Sequence, residues 1–115
     1  MALTFSLNAA TLQPTISKTI FEKFNLQVDF SNVTTPSSIS LVGVTAIDQT
    51  LRGADATSII VSGSPAPSIT SLTNYVVFQI QGGTANHTYV VAVKVARTDT
   101  GEQFEADIPL SVTAN

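Results

Sequence analysis

Apolar and polar residues alternate along most of this chain, a pattern that indicates β-strands rather than helices. Segments of this kind lie at residues 3–7, 26–30, 39–47, 75–80, 88–96 and 104–112, with a shorter one at 59–61. Clusters of Gly, Pro and Asn separate them and mark turns. About seven short strands divided by turn residues are typical of two packed sheets. The pattern therefore predicts an all-β sandwich.

One segment allows a second interpretation. Ile16, Ile20, Phe21 and Phe24 would share one face of a helix over residues 15–24. The segment is short and contains β-branched residues, which weakens its helical tendency. A helix here remains an alternative to extended chain.

Three local features predict how individual strands are placed. Residues 75–80 are apolar on both faces, which indicates a central strand. Pro109 interrupts the last segment, which predicts an edge strand or a bulge, because proline has no N–H for the ladder. Residues 98–101 form the tip of a hairpin in which Gly101 can take a positive φ.

The composition indicates one domain that contacts other proteins. The chain has 115 residues, of which 43% are hydrophobic and only 11% charged, against roughly 25% charged in an average domain. The net charge is −3 and the five basic residues are scattered, so we expect neither nucleic acid nor an anionic membrane as a partner. Low surface charge suits protein contact, since charges are depleted at interface cores.

The chain has no cysteine, which excludes disulfides and thiolate chemistry. It begins without a basic stretch or an apolar run of signal-peptide length. No segment approaches the roughly 18 apolar residues of a membrane span. We therefore expect synthesis and assembly in a cytoplasm.

The second half resembles a strand of fibronectin type III and related immunoglobulin-like domains. A Gly82-Gly83 turn is followed by Tyr89 at the start of an alternating strand, and then by the hairpin that contains Gly101. In those domains the tyrosine hydrogen-bonds back to the preceding corner. The resemblance implies an immunoglobulin-like, antiparallel β-sandwich in which Tyr89, Gly82, Gly83 and Gly101 have structural roles.

From Lys23 onwards the chain also resembles small immunoglobulin-like proteins encoded among the structural genes of tailed phages. The motifs that carry this likeness are residues 23–31, 77–84, 89–91, 100–101 and 110–112. Three features depart from the family pattern: Phe30 stands where tryptophan is usual, Asn86 stands near the second glycine, and the insert at 65–71 is longer. The resemblance implies a virion component, made in the host cytoplasm and present in many copies.

Candidate chemistry is sparse, and we expect no enzyme, cofactor or metal. His87 is the only histidine and is expected to be exposed in a turn, since zinc needs three or four ligands. Asp99, Glu102, Glu105 and Asp107 surround one hairpin. They lack the spacing of a calcium loop, so charges that protect a strand edge are the favoured interpretation, with calcium binding as the alternative.

The N-terminal segment is the candidate partner-binding region. Residues 1–17 form a separate unit in this interpretation, followed by the sandwich at residues 18–115. The segment is either an extra strand of the domain's own sheet or an arm that adds a strand to a neighbour. Its apolar residues, the candidate contacts, are Leu3, Phe5, Leu7, Leu12 and Ile16.

The favoured functional hypothesis is a capsid decoration or cement protein that binds neighbouring coat subunits, with homo-oligomeric or multi-copy assembly. The alternatives are a head-tail connector or tail accessory protein, which would contact connector proteins, and a carbohydrate- or surface-binding module. Sugar-binding modules usually expose Trp and Tyr platforms, and this chain has no Trp and only two Tyr.

Overall fold

The computed structural model describes residues 4–8, 15–30, 39–63, 66–70, 75–98 and 100–114. These residues form two β-sheets and no α-helix, so the predicted all-β sandwich is confirmed. The strands are β1 (Thr4–Asn8), β2 (Ile16–Thr19), β3 (Phe24–Asp29), β4 (Ile39–Asp48), β5 (Ala54–Asp55), β6 (Ser68–Thr70), β7 (Tyr75–Ile80), β8 (Thr88–Arg97) and β9 (Gln103–Thr113). Two 3₁₀ turns, Gln49–Leu51 and Thr57–Ile59, flank β5.

The four-stranded sheet has the order β1-β3-β7-β6. In it β7 lies between β3 and β6, which confirms the central position predicted for residues 75–80. The five-stranded sheet has the order β2-β9-β8-β4-β5, and its long central strands β9, β8 and β4 form most of its area.

The core lies between the two sheets because each long strand buries every second residue. β3 contributes Leu26 and Val28, and β8 contributes Val91, Val93 and Val95. Phe30 follows β3 and is fully buried in the same core.

The two N-terminal strands pair in parallel, which the predicted antiparallel sandwich did not include. β1 pairs with β3, and β2 pairs with β9. Parallel neighbours need a crossover connection, and β2 supplies it for β1 and β3 by passing through the opposite sheet. The remaining pairings are antiparallel.

The helix considered for residues 15–24 does not form. Ile16 and Lys18 of β2 are buried while Ser17 is exposed, so the segment alternates as a strand does. Its pairing with the distant strand β9 provides the hydrogen bonds that a helix would have made internally. β2 runs across the boundary predicted between residues 17 and 18, and Ile16 belongs to the common core.

Residues 59–61 do not form the predicted short strand. Ile59 ends a 3₁₀ turn, and Ile60 makes a single isolated bridge to Ile80. Both isoleucines are buried, so the apolar run reflects core packing and not a ladder of its own.

Pro109 lies in β9, which described strands flank on both sides from Leu110 onwards. Successive backbone N–H groups of a strand point to opposite edges. Those of Ile108 and Leu110 point to the edge that faces β8. Position 109 therefore faces the other edge, where β2 begins opposite Leu110. The missing N–H falls just before that pairing. Among the described residues, β9 is therefore an edge strand up to the proline and an internal strand after it.

Candidate functional site

The strands formed by the described part of the N-terminal segment, residues 4–8 and 15–17, lie in the chain's own sheets. β1 pairs along its length with β3, and Ile16 of β2 is 8% exposed within the core. Phe5 and Leu7 lie in β1, whereas Leu3 and Leu12 lie outside the described residues. Exchange of β1 with a neighbouring subunit stays a prediction, and Ile16 itself packs inside its own domain.

The outer face of the five-stranded sheet presents a surface that is partly apolar and partly charged. Three rows cross it from β4 through β8 to β9, because these strands are in register. The rows are Ile47-Val90-Pro109, Thr45-Ala92-Asp107 and Gly43-Lys94-Glu105. We call these residues the outer face; Ile47 in it is 41% exposed.

The charges of the outer face interact with one another. Glu105 and Asp107 lie two residues apart on the same face of β9. A side-chain hydrogen bond with Asp107, together with burial and the charge of Asp107, raises the pKa of Glu105, while Lys94 opposes this. Asp99 of the acidic cluster lies outside the described residues. Within the described residues no three His, Asp or Glu side chains are grouped to hold a metal ion.

His87 is not the exposed turn residue that the sequence predicts. Its Nδ1 lies 2.7 Å from Oδ2 of Asp48, and its side chain is 20% exposed. Asp48 is at the end of β4, and its other oxygen accepts hydrogen bonds from the N–H groups of Thr50 and Leu51. One carboxylate therefore caps the 3₁₀ turn and holds the loop before β8.

The pKa of Asp48 is lowered from its ordinary value of 3.8. Burial acts to raise it, but the hydrogen bond and charge of His87 and the two backbone N–H groups together outweigh burial. The pair could orient a proton for transfer, yet in the described part of the chain His87 has no nucleophile as a hydrogen-bond partner. The arrangement is that of a structural clamp.

Lys18 is a second buried charge, at the same end of the sandwich. It is 2% exposed, and its ammonium group donates to the carbonyl oxygens of Thr19, at 2.6 Å, and Gly82. Burial lowers the pKa of Lys18, and the nearby Glu22 partly offsets this. The contact joins β2 to the glycine turn.

Tyr89 bonds back to the loop that follows the turn at Gly82 and Gly83. Tyr89 is 2% exposed, and its hydroxyl accepts a hydrogen bond of 2.7 Å from the N–H of Thr84. Gly82, Gly83 and Gly101 all have positive φ. Because Tyr89 is buried, it offers no stacking surface for a sugar.

Comparison with known proteins adds no relative. No family model matches the chain, and no curated protein or solved structure was found to be similar to it. Among the described residues, no helix is long and apolar enough to cross a membrane.

Acid is expected to destabilise the clamp between Asp48 and His87. A carboxyl whose pKa is lower in the folded state contributes stability above its ordinary pKa, and that stability is lost as pH falls through the folded-state pKa. We expect the urea concentration at the midpoint of unfolding to decrease when the pH is lowered below about 4. Asp48→Asn is expected to lower this midpoint at pH 7 and to make it depend less on pH in acid. An unchanged acid profile in Asp48→Asn would contradict this.

Glu105→Gln provides the control with the opposite sign. The raised pKa of Glu105 means that its stabilising contribution is present below the ordinary value of 4.5 and is lost as pH rises through the folded-state pKa. The substitution is therefore expected to leave stability in acid unchanged and to increase it slightly at pH 7.

Proposed function

We propose that this protein is an immunoglobulin-like structural component of a tailed-phage virion, a capsid decoration or cement protein that binds neighbouring coat subunits. The observation that carries the proposal is the outer face, on which Ile47, Val90, Ala92 and Pro109 form a partly exposed apolar area. The charged residues of this face lie on one side of that area, and they are Lys94, Glu105 and Asp107. Such a surface suits protein contact, because charged groups are costly to desolvate at an interface core.

The strand order supports the immunoglobulin-like part of the proposal. The order β3-β7-β6 corresponds to strands B, E and D of that fold, and β9-β8-β4-β5 corresponds to G, F, C and C′. The strands β1 and β2 pair in parallel and depart from its antiparallel sheets. Tyr89 lies near the start of β8, the equivalent of strand F, and bonds back to Thr84. This is the position and contact of the tyrosine corner.

The resemblance from Lys23 onwards supports the phage part of the proposal. A lattice of coat subunits would display many identical binding sites. Weak individual contacts through the outer face then become persistent through multivalency. The mechanism is burial of surface between the sandwich and the coat, with no chemical step.

The test is quantitative mass spectrometry of particles purified from the host that carries the gene. We expect hundreds of copies in each particle, as a coat lattice requires. A dozen copies or fewer would overturn the decoration role and place the protein at the neck or tail. Absence from particles would overturn the virion assignment and leave the binding-module hypothesis.

An outer-face variant tests the binding surface. Ile47→Lys places a charge at a position that is 41% exposed, so the fold should persist while incorporation into particles falls about tenfold or more. Leu51→Lys is the matched control, because Leu51 is 57% exposed in the 3₁₀ turn after β4 and lies outside the three rows. Equal incorporation of both variants and the parent would contradict a role for the outer face.

A further inference from the structure

Among the described residues, one edge of β4 has a stretch with no paired strand. β4 pairs with β8 along nearly its whole length, from Ile39 to Asp48. On its other edge it pairs with β5 only at Ile47 and Asp48. The backbone of Ala46 accepts a hydrogen bond from the N–H of Ala56 and donates one to the Thr57 hydroxyl. No described residue pairs with that edge between residues 39 and 45.

The backbone groups that face the free edge follow from the register. Ala46 directs its N–H and C=O to this edge, so Val44, two residues earlier, does the same. The bulge between Leu41 and Gly43 shifts the pairing by one residue, as Leu41 lies opposite Val95 and Gly43 opposite Lys94. Because of this shift, Leu41 also faces the free edge.

The side chains along this edge do not protect it. Residues 39–47 contain no charged residue and no proline, the usual means of preventing edge pairing. A Cβ added at Gly43 would meet no described atom within 4 Å, and Gly43 does not have a positive φ. Glycine inside a strand often marks a bulge or the close approach of another backbone.

A groove lies beside the same edge. It has a volume of about 580 Å³ and is lined by Val44, Thr57, Ser58, Ile60, Ser62, Pro67 and Gln81. Ile60 and Val44 belong to the core-facing side. A strand added to β4 would therefore find hydrogen-bonding groups along the edge and an apolar wall on one side.

We propose that two copies of this chain pair through their β4 edges, antiparallel about a two-fold axis, with Leu41 of each copy opposite Val44 of the other. In this register, residues that belong to the same face of the sheet lie opposite each other. Leu41 and Val44 both face inward. On the outer side, Ser40 lies opposite Thr45 and Val42 lies opposite Gly43. Each Leu41–Val44 pair exchanges two backbone hydrogen bonds. The same strand is complementary to itself, so the association closes at two copies.

The inference goes beyond the proposed virion role and is tested on the purified protein alone. Sedimentation equilibrium from about 1 µM to about 1 mM is expected to show a monomer–dimer equilibrium. Val42→Lys brings two like charges together at the two-fold axis and is expected to weaken dimerisation about tenfold or more. β5 covers the edge of β4 at Ile47, so the Ile47→Lys variant is expected to dimerise as the parent does.

Amide hydrogen exchange provides a readout that does not depend on a variant. The N–H groups of Leu41 and Val44 should become protected as concentration rises, while that of Thr45, which faces β8, stays protected throughout. A monomer over the whole range would overturn the proposal, and so would a dimer that Ile47→Lys abolishes and Val42→Lys does not. The virion role is judged separately, by copy number in particles.

Discussion

Ile16→Ala is expected to lower the free energy of unfolding by about 2–5 kcal/mol, the range for truncating a buried isoleucine. Ile16 is 8% exposed, pairs with Leu110 through β2 and packs in the core between the two sheets. The loss combines the transfer free energy of the removed methyl and methylene groups with the cavity that remains. Urea unfolding followed by circular dichroism measures it.

Ser17→Ala is the matched control, because Ser17 is the exposed neighbour of Ile16 on the same strand. Its effect should lie within about 0.5 kcal/mol. If Ile16→Ala were equally neutral, β2 would not be part of the core in solution. The N-terminal segment would then behave as an arm that leaves the domain.

Gly83→Ala is expected to destabilise the protein by about 2–4 kcal/mol through two separate effects. Gly83 has a φ of +98°, which L-residues with a Cβ adopt only at a cost. A Cβ at this position would also lie 2.9 Å from Cγ2 of Val112 and 3.6 Å from the Tyr89 ring. Both neighbours are buried, so neither side chain is free to swing out into solvent.

Gly82→Ala separates the two effects, since Gly82 has a φ of +61° but open space around its Cβ position. Backbone strain alone is about 1–2 kcal/mol for a single left-handed residue. We therefore expect Gly82→Ala to cost clearly less than Gly83→Ala in the same unfolding experiment. Equal losses would show that crowding against Val112 contributes nothing.

The sequence predicted most long strands because their alternation reflects burial of one side chain in two. Residues 26–30, 39–47, 75–80, 88–96 and 104–112 all fall in or overlap strands of the structure. The turn positions were equally visible, since Gly101 was expected to have a positive φ and has one, at +76°. These features depend on local chemistry, which a sequence displays directly.

The errors concern short elements whose structure depends on distant partners. β2 has only four residues, and its apolar spacing also fitted a helix until its pairing with β9 was known. β5 and β6, with two and three residues, gave no periodic signal. Residues 59–61 looked like a strand because two buried isoleucines are adjacent, although they pack against the core from a turn.

The contacts of the candidate sites were hidden for a related reason. Asp48 and His87 are 39 residues apart, and their hydrogen bond exists only because β4 and β8 are neighbours in antiparallel register. The available signal was Asp48 itself, a carboxylate at the end of an apolar segment and followed by a polar turn. Lys18 is one of the five scattered basic residues, and its burial against the Gly82 carbonyl has no signal in the sequence.

By itself the sequence determined that the chain is all-β, which residues face the core, and where the turns lie, because these follow from side-chain periodicity and from the φ preferences of glycine and proline. Only the tertiary structure decided which strands are neighbours and that β1 and β2 pair in parallel. It also decided that no described residue pairs with one edge of β4 between residues 39 and 45. Strand pairing joins residues far apart in sequence through backbone groups that every residue shares. The pattern of side chains therefore does not specify the partner.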